Sequence, residues 1–235
     1  MNTILFFILG ACMGSFVPCF AERRQKNLSQ WGRSYCMTCQ QTVAIRDLIP
    51  ILGYFFCRGH CRRCGTPIPK ILPVFEGLSG CITALLALHF SPIAHVLLLL
   101  AGYSVMLLLS LDDWQNKTIH DSDLLLLFII LALDALLFGQ HLWLSHIIGA
   151  VIVSAPLFMI SYFWPYALGS GDALFMAIVG FYFGIPTVTY AFCLGILTAL
   201  CYAIYLLAGK HASRSTALPL IPFLTLGTLL TIFLQ

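Results

Sequence analysis

Charge is what this chain lacks. Only 9% of its 235 residues are Asp, Glu, Lys or Arg, against about 25% in a typical soluble domain. That shortage excludes a large soluble core, and the mean hydropathy of +0.95 points the same way. No basic cluster precedes the first apolar stretch and no clear small-residue cleavage site follows it. That stretch is therefore read as a retained span, not a removed signal peptide. No groove-entering motif accompanies the basic residues, so no nucleic-acid partner is expected. Internal repeats, low-complexity tracts, Ser/Gly linkers and a Rossmann-type cofactor site are likewise missing.

Hydrophobic residues make up 60% of the chain. A helical span needs about 20 apolar residues. Eight stretches are read as spans, roughly 2–20, 72–90, 92–111, 122–139, 143–162, 172–185, 187–208 and 216–234. The expected fold is all-α: a polytopic membrane protein of about eight transmembrane helices with one long polar loop. Its expected divisions are a first transmembrane helix at 1–20, a loop at 21–71 and a seven-helix membrane domain at 72–235.

Nine of the twelve Lys and Arg residues fall between Arg23 and Lys70. The positive-inside rule puts that segment in the cytoplasm. Alternation from there sets the N-terminus outside and Lys117, Lys210 and Arg214 inside, so every basic residue agrees with one topology. The loops expected outside, around Ser91, His141 and Pro186, carry no Lys or Arg. Anionic headgroups of the bilayer suit the basic loop.

That loop holds Cys36-Met37-Thr38-Cys39 and Cys61-Arg62-Arg63-Cys64, each followed by a turn-prone stretch. Two thiols three positions apart on a turn can reach one ion, and a second pair closes the shell. Paired CxxC knuckles at this separation suit a structural tetrahedral zinc site. A reducing cytoplasm makes disulfides the weaker reading. Cys57 and His60 read as bystanders. Cys12, Cys19, Cys81, Cys193 and Cys201 lie in or near apolar spans and read as small buried hydrophobes.

Acids are rare in hydrocarbon and usually functional there. Asp172 closes Gly169-Ser170-Gly171-Asp172, and Asp113 ends a span two crossings earlier. An even number of crossings puts both at one membrane face, as an aspartyl protease needs. The glycines permit backbone conformations closed to other residues and close helix approach. The bare sequence leaves the Asp112-Asp113 pair open as a plain helix end and the glycines open as a turn after Trp164-Pro165. Asp123 reads as a cap and Asp134 lies far from the chemistry. Asp47 and Glu22 read as solvated loop charges.

The succession of motifs resembles the type IV prepilin peptidases, also called leader peptidase/N-methyltransferases. Gly14-Ser15-Phe16, Arg33-Ser34-Tyr35-Cys36, Leu48-Ile49-Pro50 and the second CxxC come in order. Pro73-Val74-Phe75-Glu76, Asp113, Ile119, Asp121, the GxGD segment and Leu218-Pro219-Leu220-Ile221-Pro222-Phe223 follow. The likeness covers nearly the whole chain. Three positions depart from the family pattern: Leu174 stands where Lys is usual, His120 where Pro is usual, and Met37 where the first knuckle often has Pro.

The resemblance implies peptide hydrolysis by Asp113 and Asp172, with Gly169, Gly171 and Asp121 in support. Counting back from Asp121 in the family pattern selects Asp113 over Asp112. Two carboxylates in one site hold a proton between them. One then activates water while the other donates to the scissile carbonyl. The implied substrates are prepilins or pseudopilins of pilus, secretion or competence systems. They are cut at the cytoplasmic face of the bacterial inner membrane, after Gly and before an apolar helix. A second implied activity is N-methylation from S-adenosyl-L-methionine, with Glu76 and Gly80 as its residues. Two other classes compete. A proton- or cation-coupled transporter is disfavoured by the missing inverted repeat and by both acids lying at one face. A non-catalytic zinc-loop scaffold of the pilus machinery would tolerate Asp113→Asn.

Overall fold

The computed structural model describes residues 3–30, 32–139, 143–164, 168–209 and 218–234. His141, Pro165, Lys210 and Arg214, which the topology and turn readings used, lie outside them. The regular elements among the described residues are helices, with two isolated bridges in the polar loop, Tyr35 with Thr42 and His60 with Pro67. The chain divides into two compact units, Met1–Leu100 and Ala101–Gln235.

The first unit is built on α1 (Thr3–Gln25) and α3 (Ile71–His89). They run antiparallel through small residues. A Cβ on Gly10 would strike Thr83 Oγ1, and one on Gly14 would lie 2.8 Å from Phe75 O. Without a hydrophobic drive between helices in lipid, such close backbone approach supplies the packing. Gly80 belongs to this seam, since its Cβ would meet the Phe7 ring at 2.9 Å. Between the two helices come a 3₁₀ turn (Ile45–Leu48) and the short α2 (Leu52–Phe56). Buried Arg23 gathers the chain leaving α1, donating to Gln30 O, Gly32 O and Arg33 O at 3.1–3.4 Å.

Helix α4 (Ile93–Asn116) crosses the division. The second unit holds its later part with α5 (Asp121–Phe138), α6 (Trp143–Phe163), α7 (Ser170–Phe183), α8 (Thr187–Ala208) and α9 (Ile221–Leu234). Its core centres on α7, whose Phe175, Met176 and Val179 are fully buried among Leu109, Leu127, Val188, Ile221 and Leu224. Glycine against glycine lets α7 touch α6 at Gly180 and Gly149, and α9 touch α8 at Gly227 and Gly195.

All eight expected spans are apolar helices, and five among the described residues are long and apolar enough to cross a membrane. The other three have physical reasons. Helix α5 carries three aspartates, Asp121, Asp123 and Asp134, while α7 and α9 are 14 residues each. The expected burial of cysteines is corrected: Cys12, Cys81, Cys193 and Cys201 are exposed and Cys19 half-buried. A thiol is apolar enough to sit on a lipid-facing surface.

Candidate active site

Asp113 lies in the last turn of α4 and Asp172 in the first turn of α7. Helices α5 and α6 separate them in sequence, yet both carboxylates are buried at one end of the second unit and Asp172 feels the charge of Asp113. Asp113 Oδ2 accepts the backbone N–H of Ile221, the first residue of α9, at 3.0 Å. That N-terminus offers unpaired N–H groups and a favourable dipole for a carboxylate. Asp172 differs: its Oδ1 is buried with no hydrogen-bond partner among the described residues. Asp112 is buried too, but the aspartate whose charge reaches Asp172 is Asp113.

The sequence motifs around the pair acquire local reasons. Ile119 seats against Gly171, where an added Cβ would lie 2.5 Å from Ile119 Cδ1. Gly171 is needed for close approach. Gly169 has an ordinary extended backbone, φ −72° and ψ 142°, so the conformational reason expected of the glycines does not apply to it. A Cβ there would sit 3.4 Å from Asp172 Oδ2, so its bareness leaves room beside the carboxylate. Asp121 is exposed at the first position of α5, and no hydrogen bond joins it to either aspartate, while Asp123 is buried. Leu174 is exposed on α7, and among the described residues Lys117 is the cation whose charge acts on Asp113. Sequence reasoning gave no role to Ile221 or Ile119. The signals were the proline-flanked entry to the last helix and the Ile119-His120-Asp121 motif.

In the first unit the two knuckles fold alike. Cys36 N–H donates to Gln41 O and Cys61 N–H to Thr66 O, while Gln40 N–H returns to Cys36 O and Gly65 N–H to Cys61 O. Gln40 and Gly65 both take positive φ, 58° and 73°. The sulfurs of Cys36, Cys39, Cys61 and Cys64 all lie within 4.8 Å of one another, with Cys36 and Cys64 at 3.7 Å. Four Zn–S bonds of about 2.3 Å in a tetrahedron set the sulfurs about 3.8 Å apart. The donor set therefore fits a structural zinc with a closed shell. The Thr66 hydroxyl and amide hold the Cys64 thiol down to about 6, which favours the thiolate that a metal takes. Cys57 and His60 stand outside the four. Asp47 is not a solvated charge: its side chain is 5% exposed and takes both Arg62 bonds, at 2.8 and 3.0 Å. Arg62 holds that carboxyl below its ordinary range.

Glu76, in the second turn of α3, accepts the backbone N–H of Ile51 at 2.6 Å. Ile51 has φ 63° and ψ −56°, and Leu52 N–H bonds back to Pro50 O at 2.6 Å. This is a γ-turn of the rare positive-φ kind, in a residue whose β-branch disfavours it. Glu76 also lines a cavity of about 630 Å³ with Ser15, Arg33, Tyr35, Asp47 and Tyr54. Gly80 sits instead on the α1 seam.

Comparison with known proteins follows the same division. The bacterial peptidase A24 N-terminal domain matches residues 8–90, and the type IV leader peptidase family matches residues 100–204. A "prepilin leader peptidase/N-methyltransferase" of Bacillus subtilis (strain 168) is 28% identical over 96% of this chain and 92% of its own. A protein of that name from Klebsiella pneumoniae is 28% identical, covering 76% of this chain and 83% of its own. A "type 4 prepilin-like proteins leader peptide-processing enzyme" of Escherichia coli O78:H11 is 29% identical, covering 86% and 76%. No solved structure matches the chain. With consecutive family domains on its two units and a relative aligned along nearly its full length, the chain belongs to the type IV leader peptidase family.

Proposed function

We propose that this protein is a membrane aspartyl endopeptidase that removes the leader of prepilins or pseudopilins at the cytoplasmic face of the inner membrane. The observation that carries the reading is the meeting of Asp113 and Asp172, from helices two spans apart, as buried carboxylates at one end of the second unit. Asp113, with the Ile221 N–H on Oδ2, takes the ionised role and draws a proton from water. Asp172, whose Oδ1 has no partner among the described residues, takes the proton-holding role and donates to the scissile carbonyl. The tetrahedral adduct then collapses as the leaving amine receives a proton from the pair. Gly169 leaves space beside Asp172 for the substrate backbone. Nine basic residues between Arg23 and Lys70 favour a cytoplasmic loop, and counting spans puts the aspartates at that same face.

N-methylation of the new terminus belongs to the same reading. The cavity of about 630 Å³ in the first unit is of a size that small-molecule sites occupy. S-adenosyl-L-methionine fits its donor set: Arg33 for the carboxylate, the Glu76 carboxylate for the ammonium, and Tyr35 and Tyr54 for the adenine. When bound, the cofactor supplies the methyl group for the exposed amine. The zinc knuckles hold the cavity walls, and Gly80 acts through the α1 seam that positions Glu76.

The test is cleavage of a prepilin by purified protein in liposomes, with products weighed. Asp113→Asn and Asp172→Asn should each lose cleavage by at least about a thousandfold while retaining the wild-type melting profile. A wild-type product heavier by one methylene unit supports methylation. Undiminished cleavage by either variant would remove the assigned pair.

A further inference from the structure

The polar loop contains a stretch that is not polar. Between Ile45 and Phe56 the chain doubles back through the 3₁₀ turn, the γ-turn at Ile51 and α2. Gly53 lets the two arms touch, since a Cβ there would collide with Asp47 O. The apolar side chains point outward: Ile45 is 76% exposed, Phe55 65%, Phe56 53% and Leu52 50%. A soluble surface rarely gathers so many large apolar groups without a partner.

This hairpin is held at a definite depth. Asp47 takes both Arg62 bonds and Phe56 O accepts Arg62 Nη2 at 2.9 Å, tying it to the second knuckle. Ile51 N–H ties its apex to Glu76. Glu76 is five residues into α3, about 7.5 Å along the helix axis at 1.5 Å per residue. Amphipathic elements that lie on a bilayer sink about 5–10 Å into the boundary between headgroups and acyl chains. The apex therefore sits a comparable distance past the start of α3, level with its second turn, and Ile71 and Val74 of the first turn are themselves exposed. The charge also matches: 21–71 holds nine basic residues against two acids, Glu22 and Asp47, which Lys26 and Arg62 occupy. Arg58 and Arg63 flank the hairpin, exposed and without an acidic partner among the described residues.

We propose that the Ile45–Phe56 hairpin is an interfacial anchor, seated apolar side down in the bilayer, with anionic phospholipid headgroups as the partners of Arg58 and Arg63. Its role goes beyond catalysis: the hairpin fixes the zinc-stapled loop against the membrane surface.

The experiment uses full-length protein in nanodiscs containing phosphatidylglycerol and a trace of phospholipid with a photoactivatable group near the top of its acyl chain. After illumination, trypsin releases the segment Asp47–Arg58 and mass spectrometry locates the adducts. Adducts are expected on Leu52, Phe55 or Phe56. Replacing phosphatidylglycerol by phosphatidylcholine should reduce them several-fold, as should Arg58→Gln with Arg63→Gln, in which the same residues are released as the longer segment Asp47–Arg62. Phe55→Glu with Phe56→Glu should remove them while peptides of α1 and α3 stay labelled, which shows that the variant is folded and inserted. Labelled spans with an unlabelled Asp47–Arg58 peptide in wild type would overturn the anchor. Labelling indifferent to lipid charge would overturn the anionic partner.

Discussion

The carboxylate of Asp113 caps a helix to which it does not belong: its Oδ2 accepts the N–H of Ile221, the first residue of α9, at 3.0 Å. Proline fits the first position of a helix, because its missing N–H is one that the helix does not use. Ile221→Pro should therefore keep α9 while deleting the donor to Asp113, together with part of the fully buried Ile221 side chain. A hydrogen bond to a charged group contributes about 1.5–3 kcal/mol, so kcat/KM for prepilin cleavage should fall about 10- to 100-fold. Ile221→Ala, which keeps the N–H but loses more of the buried side chain than proline does, should lose less than Ile221→Pro. Equal losses in the two variants would assign the effect to packing.

That relationship marks where sequence reading stopped. Hydropathy located all eight apolar helices because each is one continuous run, and the crossing count put Asp113 and Asp172 at one end. The motif leading into α9 was visible as Leu218-Pro219-Leu220-Ile221-Pro222, but a backbone donor has no letter in a sequence. Ile119 was visible as well, though only the structure shows what rests on it. Asp47 read as a solvated charge because Arg62, its partner, lies fifteen positions away. The four exposed thiols were misplaced because apolar character alone does not separate a lipid-facing side chain from a packed one.

Gly171 should be limited by Ile119. A Cβ at Gly171 would fall 2.5 Å from the end of the Ile119 side chain, which alanine can accommodate by a rotamer shift and leucine cannot. We expect Gly171→Ala to cost up to about tenfold in kcat/KM and Gly171→Leu more than about a hundredfold, since a misplacement near 1 Å has that effect. Ile119→Ala in the Gly171→Leu background should restore most of the loss. Failure of that rescue, with each variant folded, would exclude the contact as the cause.

Zinc should reside in the loop alone. Purified protein should carry one zinc per chain by elemental analysis, and Cys61→Ser with Cys64→Ser should carry none. Because the spans satisfy their own backbone, far-UV dichroism should change little, while trypsin should cut sites between Arg33 and Arg63 much faster. Wild-type protease resistance in the metal-free variant would contradict a stapling role.

Glu76→Gln should separate the two proposed activities. The amide oxygen can still accept the Ile51 N–H, so the γ-turn survives, but the negative charge facing the cavity is lost. Methylated product should drop at least about tenfold, the loss expected for removing a charge-assisted contact of roughly 1.5–3 kcal/mol. Cleavage should stay within about twofold, because the aspartate pair is untouched. Parallel loss of both products would show that Glu76 serves the fold and not the methyl transfer.

Tyr182 and Asp134 should be coupled in stability rather than in chemistry. Tyr182 Oη donates to Asp134 Oδ2 at 2.5 Å, joining half-buried Tyr182 of α7 to buried Asp134 of α5. Tyr182→Phe leaves the carboxylate without that donor. Such losses range from about 0.6 kcal/mol for average hydrogen bonds in membrane proteins to about 3 kcal/mol for a charged group. The variant should therefore unfold at lower denaturant or temperature in detergent, with kcat for the surviving folded fraction unchanged. Replacing both partners, Tyr182→Phe with Asp134→Leu, removes the carboxylate as well and should recover much of the loss, because a buried apolar pair need not be satisfied. A double-mutant cycle with no coupling energy would show that the two groups act independently, and a drop in kcat would show that α7 carries the strain through to Asp172.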